Sequence, residues 1–407
     1  MKQASGTLTF RSLLTFCVCT GVLVMVDARV GAVEPLVGET EVDRQRNAAL
    51  LSEYDYRKYP VAITGYNGQD LQRVGFFRWQ HAIRTRVGSR GSYKAGMTQL
   101  PGGKLVLAAC RDNHEKDSAK RAFLIDVYES ADEGLTWQKI GRSPLFGKEP
   151  SLASLPDGSL VLSVQEFGPG ATRETLPISR STDGGRTWET FNLEGGAYPR
   201  NLIVEPDGTL LMVRGGDSGA VRERLYSHLE LGRSQDGGKT WQFSEGIIDW
   251  KPQHYGEVGS IRLRDGRLLA VLRTRIPGAP VQDSHGFGVM MITQSTDDGR
   301  HWSKPEIMTS AAEVHVYLTE LTDGRILATY SSYHLPFGVF AIVSSDGGKT
   351  WDRENPIQLA LSARNHVGWP VTLELAGGDL ITAYALTAYL QQPPDLTVTE
   401  VVRWQLP

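Results

Sequence analysis

Cysteine is scarce: the 407 residues hold three, Cys17, Cys19 and Cys110. Two lie in one N-terminal apolar run, so a chain processed there keeps Cys110 alone and cannot form an internal disulfide. An excess of one charge is also missing, with Lys+Arg 43 against Asp+Glu 46 and a net charge of −3. That balance argues against a nucleic-acid binder or a polybasic membrane binder. Long hydrophobic runs are absent apart from Leu13 to Val26, which is too short to span a bilayer comfortably. Lys2 and Arg11 precede that run and the small residues Ala28 and Ala32 follow it. Residues 1–32 therefore read as a secretory signal peptide, with a secreted or periplasmic product and no stable membrane insertion. Phe16 and Val18 stand where a lipoprotein signal wants a small residue, which argues against lipidation. No close-spaced ligand pair such as H-E-x-x-H occurs, so neither a metal nor a cofactor is implied.

Glycine and tryptophan are plentiful, at 44 and 9. Much of both goes into one element written five times: SADEGLTW from Ser130, STDGGRTW from Ser181, SQDGGKTW from Ser234, STDDGRHW from Ser295 and SSDGGKTW from Ser344. The form is S-x-D-x-G-x-T-W, with His301 for Thr in the fourth copy. Each copy specifies a hairpin turn. The Asp carboxylate accepts backbone N–H groups, the Ser hydroxyl ties back to it, Gly supplies a positive φ, and the indole covers apolar surface beneath. Copies roughly 50 to 60 residues apart predict a repeat architecture that cannot be divided between its units.

This element resembles the Asp-box of the sialidase (neuraminidase) superfamily. The resemblance covers roughly Ser92 to Pro407 and implies an all-β, six-bladed β-propeller with the boxes on the rim away from the active site. The boxes are then fold markers. Residues 33–91 carry no box and read as an N-terminal extension. Within it Arg44 to Tyr54 suits a short helix, and Phe76 to Val87 suits a strand that closes the ring beside Thr397 to Pro407. Residues 92–407 form the propeller. Six units there share an outline of apolar strand, turn and second apolar strand, with turns at Gly103, Gly158, Gly208, Gly266, Gly324 and Gly378.

Starts of first strands and ends of second strands reach one face of such a blade. That places Lys94, Arg111, Asp112, Glu149, Glu166, Arg200, Arg214 and Asp217 among the candidates, with His254, Tyr255, Glu257 and Arg273. Later units add His315, Tyr317, Tyr330, His334, Asn365, His366 and Trp369. So many ionisable groups point to a binding or catalytic mouth. The resemblance is strongest in the fourth unit, where it implies that Glu257 polarises a nucleophile and Arg273 grips a substrate carboxylate. A guanidinium fork suits that grip. Elsewhere the pattern departs: Lys94 stands at the first triad Arg, no Arg lies near Pro336, and Trp369 occupies the place of the nucleophilic Tyr. The acid/base Asp would fall after Arg111, where Asp112, His114, Glu115 and Asp117 compete. Trp369 offers instead a stacking face for a sugar. His254, His315 and His366 open three successive first strands, as ligands, acid/base groups or hydrogen-bonded mouth residues.

These readings converge on an exo-acting glycoside hydrolase of a terminal acidic or sulfated sugar. Glu257 forms a carboxylate pair with Asp112, Glu149 or Asp117, Tyr255 stands beside it, and Lys94, Arg111, Arg200 and Arg273 bind the anionic substituent. The partner is a carbohydrate. A polysaccharide lyase using Tyr or His as base, and a non-catalytic glycan- or partner-binding propeller, are the competing readings.

Overall fold

The computed structural model describes residues 82–406 apart from 89–90, 114, 116, 118–119, 167–174, 196–197, 216–224, 227, 249–253, 276–287, 335, 363–366 and 388–396. All of these lie in one compact unit, Asn47–Pro407. The proposed signal peptide and the Arg44–Tyr54 helix fall outside the described residues. The described residues contain strands and no helix, and hence no helix long and apolar enough to cross a membrane.

The strands group into antiparallel units of one plan, opened by Ser92–Gln99, the second half of Gln138–Ser154, Ile203–Val204, His254–Arg262, Glu313–Glu320 and Gly368–Glu374. Second strands such as Leu105–Asp112 and Leu210–Gly215 have sheet neighbours on both sides and apolar packing on both faces. Their continuous apolar runs follow from that position. Between first and second strands the same turn recurs six times. In the first, Gly103 donates to the Leu100 carbonyl at 2.8 Å and carries a φ of +84°. Only a residue without Cβ takes that conformation cheaply, hence a glycine at every turn.

The opening strands lie side by side in a ring, and Gly368–Glu374 returns to Ser92–Gln99. Gly96 shows how close they come: a Cβ there would stand 2.4 Å from the Pro150 carbonyl oxygen. Ile83–Val87 pairs antiparallel with Thr397–Trp404 as the outermost strand of the last unit. Its Arg84 donates to Glu400 at 2.9 Å and also bonds Tyr384 and the Leu359 carbonyl of the preceding unit. The architecture is an all-β, sialidase-like propeller.

All five repeated elements adopt the geometry their residues specify. In the second, Ser181 donates to Asp183 Oδ1 at 2.8 Å, while the Thr187 N–H and hydroxyl donate to Asp183 at 2.9 and 2.6 Å. In the fourth, His301 Nδ1 occupies the threonine hydroxyl's place against Asp297. The indoles are less covered than expected: Trp302 is buried, whereas Trp137, Trp188, Trp241 and Trp351 are half-buried. Hydrogen bonds from Thr136 hold the Asp132 carboxyl down at about 2. A depressed carboxyl contributes stability that is complete above its unfolded value and lost as pH falls through the folded one. Asp183→Ala should therefore keep the fold but lower the thermal midpoint by roughly 2–4 °C at pH 7. The deficit should shrink below about pH 4, where Asp183 of the unfolded parent takes up a proton while the folded box still holds it ionised. An unchanged midpoint in a melting series across pH would refute this role.

Candidate active site

Five first strands break register near their start, between Tyr93 and Ala95, Lys148 and Ser151, Tyr255 and Val258, Val314 and Tyr317, and Gly368 and Val371. The residues thrown out of the ladder include Lys94, Glu149, Glu257, His315 and Trp369. Four of them have left-handed backbones: Lys94 at φ 47°, Glu149 at 55°, His315 at 59° and Trp369 at 50°. Bulky residues adopt that region at a cost of about 1–3 kcal/mol each, which persists where the surroundings over-determine it.

These bulges bring together a buried cluster. Lys94 Nζ lies 2.6 Å from Glu149 Oε1, and the other Glu149 oxygen accepts from the Tyr198 hydroxyl at 3.2 Å and faces Arg200 Nη1 at 3.8 Å. Burial alone would raise the Glu149 carboxyl, but Lys94, Arg200 and Tyr198 hold it below the ordinary carboxylate value. Across the cluster Arg273 Nη1 donates to Glu257 Oε2 at 2.7 Å and approaches His315 Nε2 at 3.1 Å. The same Nε2 lies 3.4 Å from Glu257 Oε2, and Nδ1 lies 3.2 Å from Ser331 Oγ. The bulges also free carbonyls from the ladder, and Arg200 Nη2 takes those of Pro370 and His315 at 3.3 and 3.5 Å. Arg200 Nε has no partner among the described residues, a buried donor left for something else.

Several sequence expectations change. Trp369 is only 3% exposed, with His315 stacked on it at 4.6 Å and Lys94 Nζ 4.0 Å from its ring centroid. It therefore presents no open stacking face. Strand alternation turns Arg111 away from Cys110, and it joins Lys139 and Arg142 on Asp126 instead. Asp117 is exposed in a loop, 3.5 Å from Lys120 Nζ, and Asp112 is committed to Arg121. Arg214 pairs with Glu230, Tyr330 stacks on Phe340, and His334 faces Glu313. Tyr317 is half-buried, with burial pushing its phenol up to about 12. His254 and Tyr255 open their strand in register with Thr274 and Arg273, and only their backbone is described, as for Glu166. Asp217, Asn365 and His366 lie outside the described residues, so the three-histidine arrangement does too. Among the described residues no group of three or more His, Cys, Asp or Glu side chains is placed to hold a metal.

Two tyrosines join that the sequence reading left out of the candidates. Tyr198 binds Glu149, and Tyr333 sets its ring edge against His315 at 5.5 Å and Trp369 at 6.3 Å. Burial first, then the negative charge of Glu149 and Glu257, pushes the Tyr198 phenol far up. Tyr333 is likewise raised by burial, with Arg273 opposing. One available signal marks the cluster. Lys94 precedes Gly103 by the same number of residues as Glu149 precedes Gly158, Glu257 Gly266, His315 Gly324 and Trp369 Gly378.

Residues 201–366 match the family described as BNR repeat-like domain. A curated sialidase of Micromonospora viridifaciens is 26% identical over 241 residues, 51% of this chain and 37% of its own length. The chain is similar to sialidase-like proteins with BNR repeats. The curated sialidases that this BNR-repeat protein matches are spanned over half their length or less. Two solved structures share the fold of the BNR-repeat chain. A protein of unknown function from Dyadobacter fermentans has a TM-score of 0.62 at 20% identity, over 81% of this chain and 99% of its own. An α-L-arabinanase of Penicillium chrysogenum, complexed with arabinobiose, has a TM-score of 0.57 at 15% identity, over 80% and 98%.

Removing one member of a buried ion pair strands the other. Lys94→Met should destabilise the protein by about 3 kcal/mol, while Lys94→Met with Glu149→Gln should recover most of the loss. Urea unfolding at pH 7 measures both. A double variant no better than the single one would show that the charge pairing does not hold the cluster.

Proposed function

We propose that this chain is a glycoside hydrolase acting on a terminal sugar that carries an acidic group, a carboxylate or a sulfate. The observation that carries the reading is the buried cluster itself: the carboxylates Glu149 and Glu257 lie among the cations Lys94, Arg200 and Arg273. The three cations outnumber the two carboxylates, so an incoming anion balances the cluster. The sialidase relatives and the arabinanase neighbour support glycosidic chemistry.

Hydrolysis breaks the bond between the anomeric carbon and the leaving oxygen and forms one to a water oxygen, so a proton must leave the water, a proton must reach the leaving oxygen, and negative charge must stand beside the developing cation. Glu149, held ionised by Lys94 and Arg200, supplies the charge. Glu257, the more exposed of the two and paired as a carboxylate with Arg273, takes a proton from the attacking water and returns one to the leaving oxygen. Arg273 serves Glu257 and the substrate anion from one guanidinium, and His315 holds it in place through Nε2. Lys94 where the superfamily pattern has an Arg, no Arg near Pro336, and Trp369 in place of a Tyr argue for a sugar other than sialic acid. Export through residues 1–32 fits an extracellular glycan.

A second reading has a specific observation behind it. Tyr333 and His315 stand together beside Arg273, the groups that a β-elimination on a uronate would use as base and charge neutraliser. The product separates the two, since elimination leaves an unsaturated sugar that absorbs in the ultraviolet and hydrolysis does not.

Glu257→Gln keeps shape and removes the charge, so it should lower turnover by about 10²–10⁴. The assay is aglycone release from uronate, sulfated-sugar, arabinofuranoside and sialic acid glycosides, with folding checked by circular dichroism. Parent-level turnover in a folded Glu257→Gln would remove Glu257 from the chemistry. Efficient sialoside cleavage lost in Arg273→Ala would establish sialic acid as the substrate instead.

A further inference from the structure

The third unit departs from the plan of the other five, whose first strands carry the register breaks. Its opening strand is only Ile203–Val204, which pairs with the second strand at Leu211 and Leu210. Yet Tyr198 and Arg200, just before it, both meet Glu149 Oε2. What holds this segment is the fourth unit. Pro199 forms a parallel bridge with Val258, and the Arg200 N–H donates to the Val258 carbonyl at 2.8 Å. Asn201 completes the attachment with its side chain. Its Nδ2 donates to the Ser260 carbonyl at 2.5 Å, and its Oδ1 accepts the Ser260 N–H at 2.9 Å. One amide thus answers both main-chain groups of one residue, as a neighbouring strand would.

We propose that Asn201 is a positioning residue for the buried cluster: its clamp on Ser260 sets Arg200 and Tyr198 against Glu149 and fixes Glu149 relative to Glu257. As a statement about catalysis the inference rests on the glycosidase reading and deepens it.

The clamp has this role because of what lies at its two ends. Ser260 follows Glu257 by three residues, just past the register break between Tyr255 and Val258, so Asn201 grips the strand that carries Glu257. Gly259 permits the close approach there: a Cβ would stand 2.9 Å from the Val316 carbonyl oxygen and 3.9 Å from Arg200 Cβ. At the other end Arg200 reaches the Pro370 and His315 carbonyls and Glu149, so the segment runs from the fourth unit across to the second. Pro199 has no N–H of its own to add to the attachment, which leaves the Asn201 amide to hold the segment beyond Arg200. Two carboxylates acting on one glycosidic bond need a fixed separation, and a misplacement of about 1 Å costs roughly a hundredfold in rate.

The test follows Glu149 directly. Asn201→Leu keeps the branched shape and loses both bonds, while Asn201→Gln keeps the amide and lengthens its reach, a milder change in case the first variant fails to fold. Thr319→Val is the control, because it removes another side-chain bond between units, from Thr319 Oγ1 to the Thr372 carbonyl at 2.9 Å. Carbon-13 NMR of the full chain, labelled at its glutamate carboxyls, reads a pH titration, and the Glu149 signal is identified by its loss in Glu149→Gln. The charged groups acting on Glu149 or acted on by it are Lys94 from the first unit, Arg200 from the third, Lys148 on its own strand and Arg273 from the fourth. Burial pushes up the nearby Tyr93 and Tyr333 phenols and the Cys110 thiol, which stay neutral. Against burial, Lys94, Arg200 and Tyr198 hold the parent carboxyl below its ordinary value. Arg200 and Tyr198 lose their fixed places in both Asn201 variants, so Glu149 should titrate at higher pH there than in the parent and in Thr319→Val. On a glycoside that the parent cleaves, kcat should fall by about tenfold to a hundredfold with KM nearly unchanged. A Glu149 titration unchanged in the folded Asn201 variants, or moved equally by Thr319→Val, overturns the proposal whatever the protein cleaves. A raised titration with parent-level kcat overturns the catalytic role. A raised titration in a protein whose parent cleaves no glycoside upholds the positioning and overturns the glycosidase reading instead.

Discussion

A first strand in this fold packs its two faces against the units on either side, and its residues alternate between them. No regular strand residue points along the axis of the ring. Register breaks supply the inward-facing positions. At Lys94, Glu149, His315 and Trp369 the backbone crosses into the left-handed region, and the side chain leaves the alternation for the centre. The buried second strands and the repeated turns hold the frame against that strain. Arg200 completes the arrangement by bonding the Pro370 and His315 carbonyls that the bulges release.

The cluster is tightly coupled because its members share partners. Glu149 answers to Lys94, Tyr198 and Arg200, while Arg273 serves both Glu257 and His315. His315 and Lys94 both rest on Trp369, so an aromatic ring organises two functional groups where the superfamily pattern has a nucleophilic hydroxyl. Substitutions here act on one another and will not add. The same ring meets Tyr93 edge-on, and Tyr93 meets Phe123, so aromatic packing runs outward from the cluster.

Much of the frame was legible because its information is local. A box is a closed set of bonds among Ser, Asp, Gly and Thr a few residues apart, and a turn glycine declares its φ by lacking a Cβ. Lys94, Glu149, Glu257, His315 and Trp369 were legible in part, since each keeps the same distance from its turn. Arg111 misled because a one-residue step along a strand reverses its face, and its partner Asp126 lies on the next strand. Tyr333 escaped notice because it lies just past its strand, where no repeat marks it.

By itself the sequence determined the all-β class, the boxes, the turns and the offset at which each unit turns a residue inward, all properties of short segments. Tertiary structure alone decided which of those residues meet. Lys94 and Glu149 are partners across two units, and Arg273 reaches His315 across two more. It also decided that Trp369 would be covered rather than open. The first two depend on packing between consecutive units and the last on closing the ring, which sets Lys94 and Trp369 from opposite ends of the chain at contact distance, and no local pattern encodes those meetings.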